Sequence, residues 1–94
     1  MHIGSQILND TPFRKTLNVM SKLIKELKLN LKYVDLGGGF GINYTDKEKP
    51  INLSKYSKLV HNFSKKLNCK IIFETGRSII GNTGLLISKI QFIK

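Results

Sequence analysis

Acidic residues are scarce in this chain: six Asp and Glu stand against sixteen Lys and Arg in 94 residues, for a formal net charge of +10. Tryptophan is absent, proline occurs twice and cysteine once. The lone Cys69 excludes an internal disulfide framework and a cysteine-rich zinc site. No apolar run approaches the ~18–20 residues that span a bilayer, so no membrane segment is expected. The opening Met1-His2-Ile3-Gly4-Ser5 has no basic stretch followed by an apolar core. Nothing there marks secretion, and a cytoplasmic location is expected. The length falls well short of the ~250 residues usual for a barrel enzyme, which leaves one small domain or part of a larger one. Hydrophobic residues at 40% and charged residues at 23% exclude a chain disordered by composition.

The positive charge raises the question of nucleic acid. Arg14 and Arg77 are the two arginines among the sixteen basic residues, so fourteen are lysines, scattered singly or in pairs. A phosphate-backbone binder more often clusters Arg and Lys among aromatics. Here the lysines fall mainly on the polar faces of two expected helices, so solvated faces are expected and no nucleic-acid partner.

The chain alternates strands and helices. Residues 2–6 read as the tail of a strand. Thr11 can cap a helix and Pro12 suits its first position, and Phe13, Leu17, Met20, Ile24 and Leu27 form one apolar stripe at helical spacing. That helix is expected to end near Leu29, with Asn30 as a left-handed cap. Leu31–Leu36 is rich in β-formers and stops at three glycines. Residues 42–53 read as a loop. Ser54 can cap a second helix carrying Tyr56, Leu59, Val60, Phe63 and Leu67 on one face. Lys70–Phe73 is a second strand, residues 78–84 hold a short helical turn, and Leu85–Lys94 reads as a longer strand. This order implies crossovers and a parallel sheet. So few strands cannot cover both faces of such a sheet, which suggests a slice of a larger α/β barrel.

Three polar or glycine clusters each sit at the carboxyl end of an expected strand: His2-Ile3-Gly4-Ser5-Gln6, Asp35-Leu36-Gly37-Gly38-Gly39-Phe40-Gly41 and Glu74-Thr75-Gly76-Arg77. In a parallel barrel those ends share the ligand-binding rim. Gly37, Gly38 and Gly39 can expose backbone N–H groups that cup a phosphate; they can equally be a tight turn after a strand. A dinucleotide fingerprint fits poorly, because Ile42 stands where its last glycine would fall. Glu74 follows Ile71-Ile72-Phe73, an apolar run expected to be buried, so its carboxylate needs a partner. That partner is either Arg77 or a cationic ligand atom. Gly76 and Arg77 offer a backbone N–H and a guanidinium fork suited to phosphate or carboxylate. Taken alone, His2 reads as solvated and Ser5 as a turn cap. His61 and Cys69 read as structural, and no spacing of His, Cys, Asp and Glu suggests a metal site.

Taken together, the three clusters resemble the pyridoxal-phosphate decarboxylases of the alanine-racemase-like barrel fold, and within that group the diaminopimelate decarboxylases. The family's His-Ile-Gly-Ser-Gln is intact at residues 2–6, and its Asp-hydrophobic-Gly-Gly-Gly-hydrophobic-Gly signature at residues 35–41. Its Glu-Pro-Gly-Arg motif stands as Glu74-Thr75-Gly76-Arg77, with Thr75 in place of proline. That change frees a backbone dihedral and removes no functional group. The resemblance spans essentially all 94 residues.

It implies an α/β fold in which residues 1–84 are the C-terminal part of a pyridoxal-phosphate-binding (β/α)8 TIM barrel. Residues 85–94 would be the first strand of a following β-domain. It implies pyridoxal 5'-phosphate as cofactor, with His2 stacking on its ring and Glu74 beside its pyridine nitrogen. Ser5, Gly37, Gly38, Gly39, Gly76 and Arg77 would cradle its phosphate, Thr75 would be a further cofactor-binding residue, and Arg77 would also meet a substrate carboxylate. The implied reaction converts meso-2,6-diaminopimelate to L-lysine and carbon dioxide, in a homodimer. Ornithine, arginine and carboxynorspermidine decarboxylases are the alternatives, as is a truncated remnant without catalysis. The lysine that forms the cofactor's Schiff base and the cysteine that a partner chain contributes have no counterpart in these residues. The isolated chain is therefore expected to be inactive.

Overall fold

A computed structural model describes all residues 1–94. Its elements in chain order are α1 (Thr11–Glu26), β1 (Tyr33–Asp35), α2 (Leu53–Leu67), β2 (Lys70–Ile72) and α3 (Arg77–Ile80). The protein is an α/β piece whose two strands pair in parallel, with Val34 opposite Ile71, across the crossover through α2. Pairing runs past the strand ends: Lys70 N–H donates to the Lys32 carbonyl, Leu36 to Ile72 and Glu74 to Gly37.

The N-terminal segment lies on the other side of β1. Ile7 N–H donates to the Gly39 carbonyl at 2.9 Å, Gly41 N–H to Ile7 at 3.0 Å, and the Met1 nitrogen to the Asp35 carbonyl at 2.7 Å. The expected strand tail at residues 2–6 is thus aligned correctly, but it forms one isolated parallel bridge, Ile7 to Phe40, and no strand. Gln6 sits at φ 57° and Gly4 at φ 141°, conformations that break a continuous ladder.

Both long helices form from amphipathic stripes, as their spacing predicts. Phe13, Leu17 and Ile24 of α1 and Tyr56, Val60 and Phe63 of α2 are buried in one cluster with Val34, Leu36, Phe40, Ile51 and Cys69. At its centre three rings meet, one from α1, one from the segment after β1 and one from α2. Phe13 stacks on Phe40 at 5.1 Å between centroids, and Tyr56 meets each of them edge-on at 4.9 Å. Such pairs add about 0.5–1.5 kcal/mol each beyond their buried area.

The caps differ from expectation. Asp10, not Thr11, is the N-cap of α1, and its carboxylate bonds Arg14 at 2.7 Å and Lys55 at 3.3 Å instead of the helix amides. Hydrogen bonding from Arg14 holds the Asp10 carboxyl below the usual aspartate range. Asn52, not Ser54, caps α2 by accepting the Lys55 N–H at 2.9 Å. α1 ends a turn earlier than expected. Lys28, not Asn30, takes the left-handed conformation, while Leu29 N–H reaches back to the Ile24 carbonyl and Lys28 N–H to Lys25. The same closing pattern ends α2 at Asn68 (φ 50°), with Cys69 N–H on Ser64.

Two further expectations fail. The run Ile71-Ile72-Phe73 is not buried: Ile72 and Phe73 are each 44% exposed, because one face of the two-stranded sheet and the outer edge of β2 have nothing packed on them. Leu85–Lys94 forms no strand. It makes no backbone hydrogen bond to a neighbour, and Leu85, Leu86, Ile87, Phe92 and Ile93 are 89–97% exposed. β-forming composition needs a hydrogen-bonded neighbour to become a strand, and none is within reach.

Candidate functional site

The three clusters meet. Each glycine of the triplet touches the backbone of another cluster, so that a methyl group in place of its hydrogen would collide. At Gly37 the obstacle is the Met1 carbonyl, at Gly38 the Glu74 carbonyl and at Gly39 the Gly4 carbonyl. Gly37 and Gly39 also hold φ of 67° and 96°, which L side chains rarely adopt. The glycines are therefore needed for close backbone approach: the first cluster closes on one side of β1 and the third on the other. The tip of β1 becomes the centre of a rim. The triplet is a tight turn, as one of the two readings expects, and it brings the other two clusters against it.

Its amides are not equally available. Gly37 N–H is taken by the Asp35 carboxylate two residues earlier, at 2.6 Å. That removes the Gly37 amide from the expected phosphate donors. Gly38 and Gly39 amides donate to no backbone carbonyl outside the regular elements, and neither does that of Gly76. Open amides on the rim thus come from the second and third clusters.

Glu74 and Arg77 do not pair. Both ion pairs of the molecule centre on Asp10, so the exposed Glu74 carboxylate is unpartnered. Arg77 instead donates from Nη1 to Gln6 Oε1 at 3.1 Å. His2 and Ser5 are exposed on the first tip, and Thr75 is half-buried on the third. Gln6 is the functional candidate that sequence reasoning passed over. Its amide also donates to the Ile42 carbonyl at 2.6 Å and accepts the Ile42 N–H at 3.3 Å. A residue inside the first motif that was assigned no ligand role gave no signal of these bonds, because its partners, Ile42 just past the second cluster and Arg77 in the third, lie far away in the sequence.

The largest concavity is elsewhere. About 740 Å³ of groove lies between α2 and β2, lined by Leu53, Tyr56, Val60, Ile71 and Phe73 and reaching the rim at Phe40 and Thr75. It is the uncovered flank of the sheet, and His61 lies along it. Burial pushes the Tyr56 phenol up to about 12 and raises the Cys69 thiol, and both side chains pack in the hydrophobic core. All fourteen lysines are exposed and none lies on the three tips, in keeping with solvated helix faces. No group of His, Cys, Asp and Glu is arranged to hold a metal, and no helix is long and apolar enough to cross a membrane.

A parallel α/β piece whose strand tips gather open amides, a guanidinium and a free carboxylate fits a site for an anionic, nitrogen-bearing ligand. Residues 1–81 match the family model described as pyridoxal-dependent decarboxylase, pyridoxal binding domain, and the chain belongs to that family. Its curated relatives include diaminopimelate decarboxylases. That of Aquifex aeolicus is 40% identical over 99% of this chain and that of Zymomonas mobilis 38% over 99%, the chain spanning 23% of either relative. Among solved structures, one from Aquifex aeolicus superposes with a TM-score of 0.81 at 40% identity, covering 99% of this chain and 24% of its own. Diaminopimelate decarboxylase from Helicobacter pylori complexed with L-lysine superposes at 0.70 and 36% identity, covering 83% of this chain and 20% of that one. The chain is thus similar to just under a quarter of these enzymes, and the cofactor of its family is pyridoxal phosphate.

Proposed function

We propose that these residues supply part of the pyridoxal 5'-phosphate cradle of a diaminopimelate decarboxylase, which converts meso-2,6-diaminopimelate to L-lysine and carbon dioxide. The observation that carries the reading is the meeting of the three tips at Gly37, Gly38 and Gly39, in a chain similar to such enzymes over its whole length. The residues present fit the cofactor. Open amides at Gly38, Gly39 and Gly76, the Ser5 hydroxyl and the Arg77 guanidinium suit a phosphate dianion. Thr75 carries the turn between Glu74 and Gly76. The exposed His2 imidazole suits stacking on a flat ring.

Glu74, free of any internal cation, would hold the pyridine nitrogen of the cofactor and favour its protonated form. Bound pyridoxal phosphate supplies the sink for the electron pair left when carbon dioxide departs. Arg77 would also meet a substrate carboxylate.

Residues 1–84 then belong to the last part of a (β/α)8 barrel, and 85–94 begin a following β-rich domain. The family match ending at residue 81 and the last regular element ending at Ile80 support that boundary. The lysine that anchors the cofactor lies outside these residues, as the lack of any lysine on the three tips supports. The complete enzyme works as a cytoplasmic homodimer on a free amino acid.

A chimaera tests this. The 94 residues replace the matching segment of the Aquifex aeolicus enzyme. The chimaera is expected to release carbon dioxide from meso-diaminopimelate in preference to ornithine, arginine or carboxynorspermidine. Glu74→Ala in it should lower kcat by about 10²-fold or more. An unchanged kcat, or preference for another amino acid, would overturn the assignment. The isolated chain with added cofactor is expected to release none; turnover that disappears on Glu74→Ala would show that it is complete.

A further inference from the structure

We infer that Gln6 is a positioning residue that holds the Arg77 guanidinium on the rim for an anionic group. The inference rests on the cradle reading above. Three observations carry it. Gln6 Oε1 accepts from Arg77 Nη1 at 3.1 Å, across 71 residues of sequence. The same side chain grips both backbone groups of Ile42, donating to its carbonyl at 2.6 Å and accepting its N–H at 3.3 Å, so the Gln6 amide is itself fixed in orientation. And Gln6 stands at φ 57°, where glycine would sit without strain. The strain is held by bonds that only a side chain of this length and dual donor–acceptor character makes.

The chemistry follows from the choice of an amide. Arg77 has no acidic partner, since Asp10 holds both ion pairs of the molecule and Glu74 is free. A carboxylate beside Arg77 would fix it equally well but would neutralise it. A neutral carbonyl oxygen fixes one nitrogen of the fork and leaves the full positive charge, with its other N–H donors, for an incoming phosphate or carboxylate. Held this way, a long exposed side chain loses less freedom when the anion arrives.

The test uses the full chain and pyridoxamine 5'-phosphate, which cannot form an imine with the fourteen lysines, with pyridoxamine as the control lacking phosphate. Binding is followed by titration calorimetry, and the mobility of the Arg77 side chain by ¹⁵N NMR of its guanidinium. Gln6→Gly removes the side chain without adding backbone strain, and thermal unfolding checks that it folds. It is expected to weaken binding of the phosphate ester about tenfold and to free the Arg77 guanidinium. In an Arg77→Gln background the same change should cost less than about twofold, because a partner that acts only through Arg77 has nothing left to position. Gln6→Glu, which keeps the contact and adds charge, should leave Arg77 restrained yet weaken binding at least as much as Gln6→Gly. Equal losses from Gln6→Gly with and without Arg77, or an Arg77 guanidinium as mobile in the parent chain as in Gln6→Gly, would overturn the positioning role. No loss on Arg77→Gln, or equal binding of pyridoxamine and its phosphate, would instead overturn the cradle reading.

Discussion

Single atoms decide whether the rim exists. The hydrogen that replaces a side chain at Gly38 lets the Glu74 carbonyl lie against the tip of β1, whereas at Gly76 a methyl group would find nothing within 4 Å. Gly38→Ala is therefore expected to lower stability by about 1–3 kcal/mol through forced backbone displacement. Gly76→Ala should change it by no more than about 0.5 kcal/mol. Urea unfolding of the two variants makes the comparison directly. Tyr56 gives a second residue-scale prediction. Burial lifts its phenol to about 12, above the ordinary value of 10.0, so the folded chain favours the neutral form. Its contribution to stability is fully present below pH 10 and is lost as pH rises from about 10 through 12. Denaturant midpoints should fall over that window, and Tyr56→Phe should flatten the fall.

The elements owe their existence to patterning and their limits to local hydrogen bonding. The stripe Tyr56, Val60 and Phe63 makes α2 inevitable on any apolar surface, but Asn52 determines where it begins. Asn52→Ala should cost about 1 kcal/mol, whereas Ser54→Ala, at the position the sequence favoured, should cost only a few tenths. Chemical denaturation resolves the difference. Ser and Asn two residues apart look alike in a sequence, because both side chains can accept an amide. The turn geometry after Ile51 selects Asn52, and Lys28 is selected over Asn30 in the same way, by the closing bonds from Lys28 and Leu29.

At the scale of the molecule, order follows contact. The chain is elongated, 59 Å by 24 Å by 22 Å, and Leu85–Lys94 adds no buried side chain to its core. Deleting Leu85–Lys94 should leave the unfolding free energy within about 0.5 kcal/mol. It should also reduce self-association, since the removed residues carry a contiguous exposed apolar surface; light scattering against concentration measures this. An unfolding midpoint lowered by the deletion would mean that the tail packs on the sheet. The same reasoning explains why the run Ile71-Ile72-Phe73 reads as core in the sequence yet lies half-open: a strand is buried by its neighbours, and β2 has β1 alone.

What the sequence determined by itself was local and periodic. Two amphipathic helices and two short strands, each with a motif cluster at its end, follow from side-chain spacing, which the backbone reads at 3.6 or 2 residues per turn. The motifs carried the family as well. What only the tertiary structure decided was who partners whom. Gly37 gives its amide to Asp35, Arg77 turns to Gln6 rather than Glu74, and the glycines meet the two flanking backbones. These choices join residues up to 71 positions apart. Hydrogen-bond geometry and steric exclusion act on distance in space, which neither composition nor spacing along the chain encodes.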